Sequence, residues 1–223
     1  MTTLRIVSRA NLRQWAPWVA GTCAVVMAGT ARADIKHGGR MLGSPQDSSS
    51  ARVEGVGPWA VYRDANVPLD FTFEYPGNWI TGAERGRAQP YWQLTILGPR
   101  NDADSYTTGI TIRKQSTKES GALYKSLQEL IQARKQGYAA GPDARTIRDA
   151  VRPMGSLQAQ DLEFSYVVPL PIDNPAARPT RLQTRIVAFA FGDSLYELTY
   201  SADEGDFKTY EPVFTHLLDT LSQ

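Results

Sequence analysis

The sequence has 223 residues, 42% of them hydrophobic and 21% charged, an ordinary globular composition. Its 24 basic residues nearly balance 23 acidic ones, and no Lys/Arg cluster marks a nucleic-acid or anionic-membrane surface, so no nucleic acid is expected as a partner. With two histidines and one cysteine, most metal and thiol chemistry is excluded as well.

The chain opens on an export signal. Arg5, Arg9 and Arg13 form a basic region, Val19–Gly29 an apolar run, and Ala31-Arg32-Ala33 the small-x-small pattern that a signal peptidase reads. The apolar run, about 11 residues, falls well short of the roughly 20 that a spanning helix needs, so the chain is not expected to cross a membrane. Residues 1–33 are therefore read as a cleaved secretory signal peptide. Cys23 raises a competing reading, a lipidated cysteine, but Ala20, Gly21 and Thr22 supply neither the leucine nor the final small residue of such a signal. Cleavage after Ala33 removes that cysteine with Arg5, Arg9, Arg13 and Arg32, and leaves 20 basic against 23 acidic residues, net −3. The mature chain then has no disulfide in an oxidising compartment. Its roughly 190 residues suffice for one domain held by a core alone.

Residues 34–58, which include SPQDSSSARVEGVGP, are poor in large apolar side chains and rich in Gly and Ser. Such a segment buries too little surface to offset its ordering entropy. It reads as a flexible tether, with ordering on a partner as the alternative. A single domain, 59–223, follows.

Trp59–Tyr62 is a short strand. Phe71, Phe73 and Tyr75 alternate with Thr72 and Glu74, a strand with one buried face. Tyr75-Pro76-Gly77-Asn78 has the residues of a type II turn, proline presetting one φ and glycine accepting a positive one. Trp79 folds back on the aromatic face, so this stretch is a sheet corner with a hydrophobic plug; a ligand-stacking site is the alternative. A strand through Trp92, Leu94 and Ile96 stops at Gly98-Pro99, and Thr108–Lys114 forms another. The polar hairpin loop between them carries Asp102 and Asp104 but lacks the spacing, glycine and terminal glutamate of an EF-hand calcium loop. Ala122–Gln136 puts Leu123, Leu127, Leu130, Ile131 and Arg134 on one side, an amphipathic helix with Gly137 as its C′ residue.

Gln158–Val168 has Leu162, Phe164, Tyr166 and Val168 on one face, and Arg181–Phe191 becomes apolar on both, as an interior strand does. Gly192-Asp193-Ser194 reverses the chain into a strand through Tyr196, Leu198 and Tyr200. These short connections imply an antiparallel sheet. Pro169–Thr180 is longer than a hairpin needs, and such loops often carry function. Pro169, Pro171, Pro175 and Pro179 stiffen it, so docking loses little conformational entropy. Ile172 is expected there as an exposed apolar anchor, with Arg178 and Arg181 facing acidic groups of a partner. A helix from Thr209 to Leu221, capped by Thr209 with Pro212 in its first turn, closes the domain.

Catalysis finds few participants. His37 lies in the tether and His216 is expected on the surface of the last helix. There is no Ser-His-Asp arrangement, Gly-x-Ser-x-Gly elbow, Walker A or Gly-x-Gly-x-x-Gly run. No cofactor is expected. Two carboxylates can still converge for hydrolysis. Asp161 and Glu163 share a strand face expected to be solvated, and Asp203, Glu204 and Asp206 cluster in a loop able to hold a divalent cation such as calcium weakly.

The layout resembles the PsbP-like family, the fold of an extrinsic subunit of the photosynthetic oxygen-evolving complex and of its bacterial relatives. Tyr75, Pro76 and Trp79 in FTFEYPGNW match an aromatic strand running into Tyr-Pro-x-x-Trp. Tyr196, Tyr210, Pro212, Phe214 and Leu218 in DSLYELTYSADEGDFKTYEPVFTHLLDTL match a late strand followed by an aromatic-proline helix. The similarity runs from Trp59 to Leu221. It implies an α+β fold, an α-β-α sandwich with a central antiparallel sheet. It also implies a non-catalytic accessory role in the assembly or stability of a membrane or envelope complex. With the export signal, this means the periplasm, or the thylakoid lumen in a photosynthetic source. The competing function is a periplasmic carboxylate-based hydrolase, or a binder of a small ligand or divalent cation; two carboxylates converging in a pocket would favour it.

Overall fold

The computed structural model describes residues 55–63, 68–86, 91–172 and 174–222. The signal peptide, His37 and the tether up to residue 54 lie outside them. β1 (Trp59–Tyr62) and β2 (Phe73–Pro76) form a two-stranded antiparallel pair. One antiparallel sheet holds β3 (Ile80–Arg85), β4 (Tyr91–Arg100), β5 (Thr107–Ser116), β6 (Arg145–Met154), β7 (Leu157–Leu170), β8 (Arg178–Phe191) and β9 (Ser194–Asp203). Its spatial order is β3-β4-β5-β9-β8-β7-β6. Helix α1 (Leu127–Ala139) carries the chain from β5 to the far edge, and the β6–β9 meander returns to lie beside β5. Helix α2 (Glu204–Thr220) follows β9.

Each sheet face has its own core, because successive side chains of a strand point to opposite faces. On one face Tyr196, Leu198 and Tyr200 meet Phe207, Val213, Phe214 and Leu217 of α2, with Phe73 of the small sheet beyond. On the other, Leu162, Phe164, Tyr166 and Ile186 meet Leu130 and Ile131 of α1. This is the α+β, α-β-α sandwich with an antiparallel sheet that the sequence led us to expect. Among the described residues no helix is long and apolar enough to cross a membrane.

Several local expectations are corrected. The turn lies one residue later than expected: the Trp79 N–H donates to the Pro76 C=O at 2.9 Å, and Gly77 does not have a positive φ. Glycine is needed there for close approach, since a Cβ would lie 3.0 Å from the Pro58 carbonyl oxygen. Helix α1 starts five residues late because Ser126, not the chain before it, supplies the cap: its hydroxyl accepts from the Glu129 N–H at 3.2 Å. Leu123 is left exposed, and Gly137 falls inside the helix, whose C-cap is Ala140. Helix α2 begins at Glu204, capped by Asp203 through the Asp206 N–H at 2.9 Å. Pro212 is thus in the helix interior, tolerated on the exposed side where the orphaned carbonyl meets water. Strand β4 runs through Gly98-Pro99 to Arg100 by a register shift, and Gly98 leaves room for the Trp79 ring. Edge strands β3 and β6 had no clear alternation to betray them, since most of their side chains are exposed on both faces. Strand β6 is bulged at Ile147 and carries Arg145, Arg148, Arg152 and Pro153.

The register gathers one set of connections at one end of the sheet. Pairings Ile80↔Leu97, Arg100↔Thr107, Leu182↔Asp203, Leu170↔Arg178 and Arg145↔Ser165 bring together residues 101–106, 171–177, the start of β6 and the N-terminus of α2. Asn78, which binds residues 55 and 57, precedes β3 at the same end.

Candidate functional site

The residues marked for partner contact divide. The β7–β8 ladder continues through Pro169↔Pro179 to Leu170↔Arg178, so the connection shrinks to residues 171–177. Prolines can face each other because an antiparallel ladder alternates with pairs that exchange no hydrogen bond. The shortened connection draws Ile172 inward: it is half-buried against the α1-side core rather than an exposed anchor. Arg178 is exposed. Arg181 turns back on its own domain, donating to the Asp143 C=O and to Ser165 Oγ, each at 3.3 Å, and lying 3.8 Å from the Asp143 carboxylate.

Asp161 and Glu163 are buried, 4% exposed each, and not solvated. The register explains their partners: Glu163 stands opposite Arg185 on β8 and Arg148 on β6. Arg185 grips Asp161 with Nε at 3.0 Å from Oδ1 and Nη2 at 2.7 Å from Oδ2. Arg148 bridges Asp161 and Glu163 at 3.3 and 3.4 Å, and Gln183 donates to Glu163 at 2.5 Å. Arg185 also reaches Glu211 on α2 at 3.0 Å and lies over the Phe214 ring. Burial works against its charge, but hydrogen bonds to Asp161 and the charges of Asp161, Glu211 and Glu163 outweigh it and raise its pKa. The carboxylates do converge, but on guanidinium groups. Each oxygen already accepts a hydrogen bond or faces an arginine, as in a structural ion network.

A matching pair lies on the opposite face. Arg134 of α1 binds Glu197 of β9 through Nε at 2.8 Å and Nη2 at 2.7 Å. Burial opposes charge on Glu197, yet Arg134, by charge and hydrogen bond, and then Arg113 hold its pKa below the usual range. Sequence reasoning missed Arg148, Arg185 and Glu197. The only signal was a charge in strands otherwise apolar, which asks for an opposite charge in register.

The acidic residues at 203–206 do not form a loop. Asp203 caps α2 and accepts from the Asn101 amide at 2.7 Å. Burial and then the charges of Asp203 and Asp102 raise the pKa of Asp206. Among the described residues no three His, Cys, Asp or Glu side chains are placed to hold a metal ion. His216 is half-buried rather than on an open surface: its ring stacks on Trp59 at 3.8 Å and its Nε2 lies 2.7 Å from Glu74 Oε2. Tyr196 and Asp70 form a further lock. The Tyr196 hydroxyl donates to Asp70 at 2.6 Å, Lys114 lies 3.0 Å from the same carboxylate, and burial with Asp70 raises the Tyr196 pKa.

No protein-family profile matches the sequence, and no curated protein matches it. Solved structures show distant likeness. A Pseudomonas aeruginosa protein of unknown function is 12% identical, with 75% of this chain and 98% of that chain covered and a TM-score of 0.46. LpqN of Mycobacterium tuberculosis, involved in cell envelope biogenesis, is 12% identical over 74% of this chain and 86% of its own, at a TM-score of 0.44. The cyanobacterial PsbP of Synechocystis sp. PCC 6803 is 12% identical over 78% of this chain and 97% of its own, at 0.43.

Proposed function

We propose that this chain is exported and acts by contact rather than catalysis, as an accessory protein assisting the assembly or stability of a membrane or envelope complex. Its compartment in this reading is the periplasm, or the thylakoid lumen of a photosynthetic source. The observation that carries the reading is the loop end of the sheet. Exposed Asp102, Asp104, Glu204, Arg178 and Arg145 line that end from the middle of the sheet to its β6 edge, and Ile80, 67% exposed, stands at its β3 edge, the side where the N-terminal segment joins the domain. A rim of mixed charge with an exposed apolar residue at one side suits a protein contact. The ion-paired carboxylates support the same reading over hydrolysis, because Asp161, Glu163 and Glu197 spend their oxygens on arginine and glutamine.

Crosslinking and pull-down from envelope extract test it. Replacing residues 171–177 with Asn-Gly should preserve the fold by circular dichroism and reduce recovery of a partner. Recovery unchanged both there and in a chain lacking residues 34–54 would overturn the reading.

A further inference from the structure

Residues 55–58, Gly-Val-Gly-Pro, lie at the loop end of the sheet ahead of β1, outside any strand. One side chain reads their main chain twice. Asn78 Oδ1 accepts from the Gly57 N–H at 2.7 Å, and its Nδ2 donates to the Gly55 C=O at 3.0 Å. A third hydrogen bond runs from the Gly77 N–H to the Pro58 C=O at 2.7 Å. Hydrogen bonds to main-chain groups hold a segment whatever its side chains, and the room left for those side chains then sets specificity.

The site asks for glycine. A Cβ on Gly57 would lie 2.7 Å from Asn78 Cγ and Oδ1, and Gly55 has a φ of +81°. Beneath the strap Val56 packs on the core, while Gly55 lies against the Pro99 ring and the Tyr210 hydroxyl. Trp79 stands beside Tyr210, ring centroids 6.1 Å apart, and its buried indole N–H meets no acceptor among the described residues. An aromatic floor, a slot for one apolar side chain and a two-point amide therefore meet at one corner. Both Asn78 bonds are exposed to solvent, and the strap belongs to no ladder, so it opens more readily than the sheet below it.

We propose that this corner is a recognition site for a Gly-x-Gly-Pro main chain that turns through a left-handed first glycine, filled in cis by residues 55–58, and that a partner segment of the same chemistry takes it when the strap leaves. The partner's chemistry is read from the occupant already seated there. The site stands independently of the accessory role above, since it is tested on the purified protein alone.

The probe is a fluorescently labelled Glu-Gly-Val-Gly-Pro peptide, the sequence of residues 54–58, followed by anisotropy against the full chain. The unsubstituted protein should bind little, its site being filled. Gly57→Ala, whose Cβ would push the Asn78 amide off both its bonds, should release the strap and bind the peptide. Gly57→Ala with Asn78→Ala should bind about tenfold more weakly or worse, having lost two hydrogen bonds. Hydrogen exchange should show the Gly77 amide unprotected in Gly57→Ala while the α2 amides stay protected. Retained Gly77 protection, or equal peptide binding by all three chains, would overturn the proposal. A dimer of the unsubstituted protein by light scattering that Gly57→Ala dissolves would assign the corner to a second copy's strap and overturn the partner segment.

Discussion

Glu197 sits beneath α1 in a place where a lone carboxylate would be expelled or protonated, and Arg134 is what keeps it charged. The consequence is a pH dependence of definite sign. A group whose native pKa is depressed stabilises the fold fully above its unfolded value, about 4.3 for glutamate, and loses that contribution as the pH falls through the native pKa. Arg134→Met should therefore destabilise the protein by about 3–5 kcal/mol at neutral pH, because it strands a buried charge. It should also flatten the loss of stability on acidification. Urea unfolding from neutral to acid pH measures both; a variant with the parent's acid slope would show that Glu197 is held by something other than Arg134. Single charges in buried strands thus say more than their small number suggests. Each one fixes a partner on another element.

At the scale of elements, the corner between β2 and β3 shows how a short motif becomes architecture. Trp79 is 6% exposed and its ring occupies the space left by Gly98 on β4, with Tyr210 of α2 at its edge. It thereby links the small sheet, the large sheet and the last helix. Trp79→Ala should cost on the order of 3–5 kcal/mol, the usual range for emptying so large a buried site. A change near zero in urea unfolding would mean the plug is dispensable. The helices teach the complementary lesson. Apolar spacing marked both of them, but their starts were set by Ser126 and Asp203, single oxygen-bearing side chains whose hydrogen bonds outweigh the weak pull of propensity.

For the whole molecule, the sandwich was legible because its central strands alternate strongly and its reversals are short, as in Tyr196–Tyr200 after Gly192. The edge strands were not, because β3 and β6 bury too little to need a period. The candidate site was legible only in part: Arg178 is exposed, but Ile172 and Arg181 answered to contacts that depend on where β7 stops. No residue pattern announces the end of a ladder that two facing prolines do not interrupt. Export is tested at this scale. N-terminal sequencing of envelope material should begin at Asp34, and a start at an acylated Cys23 would replace the cleaved signal by a lipid anchor. The bulge at Ile147 has a last consequence. A neighbouring copy that tried to extend the sheet along β6 would meet a kinked backbone, three arginines and a proline that offers no donor, while β3 presents six residues. Such an edge resists being zipped strand by strand into a fibril.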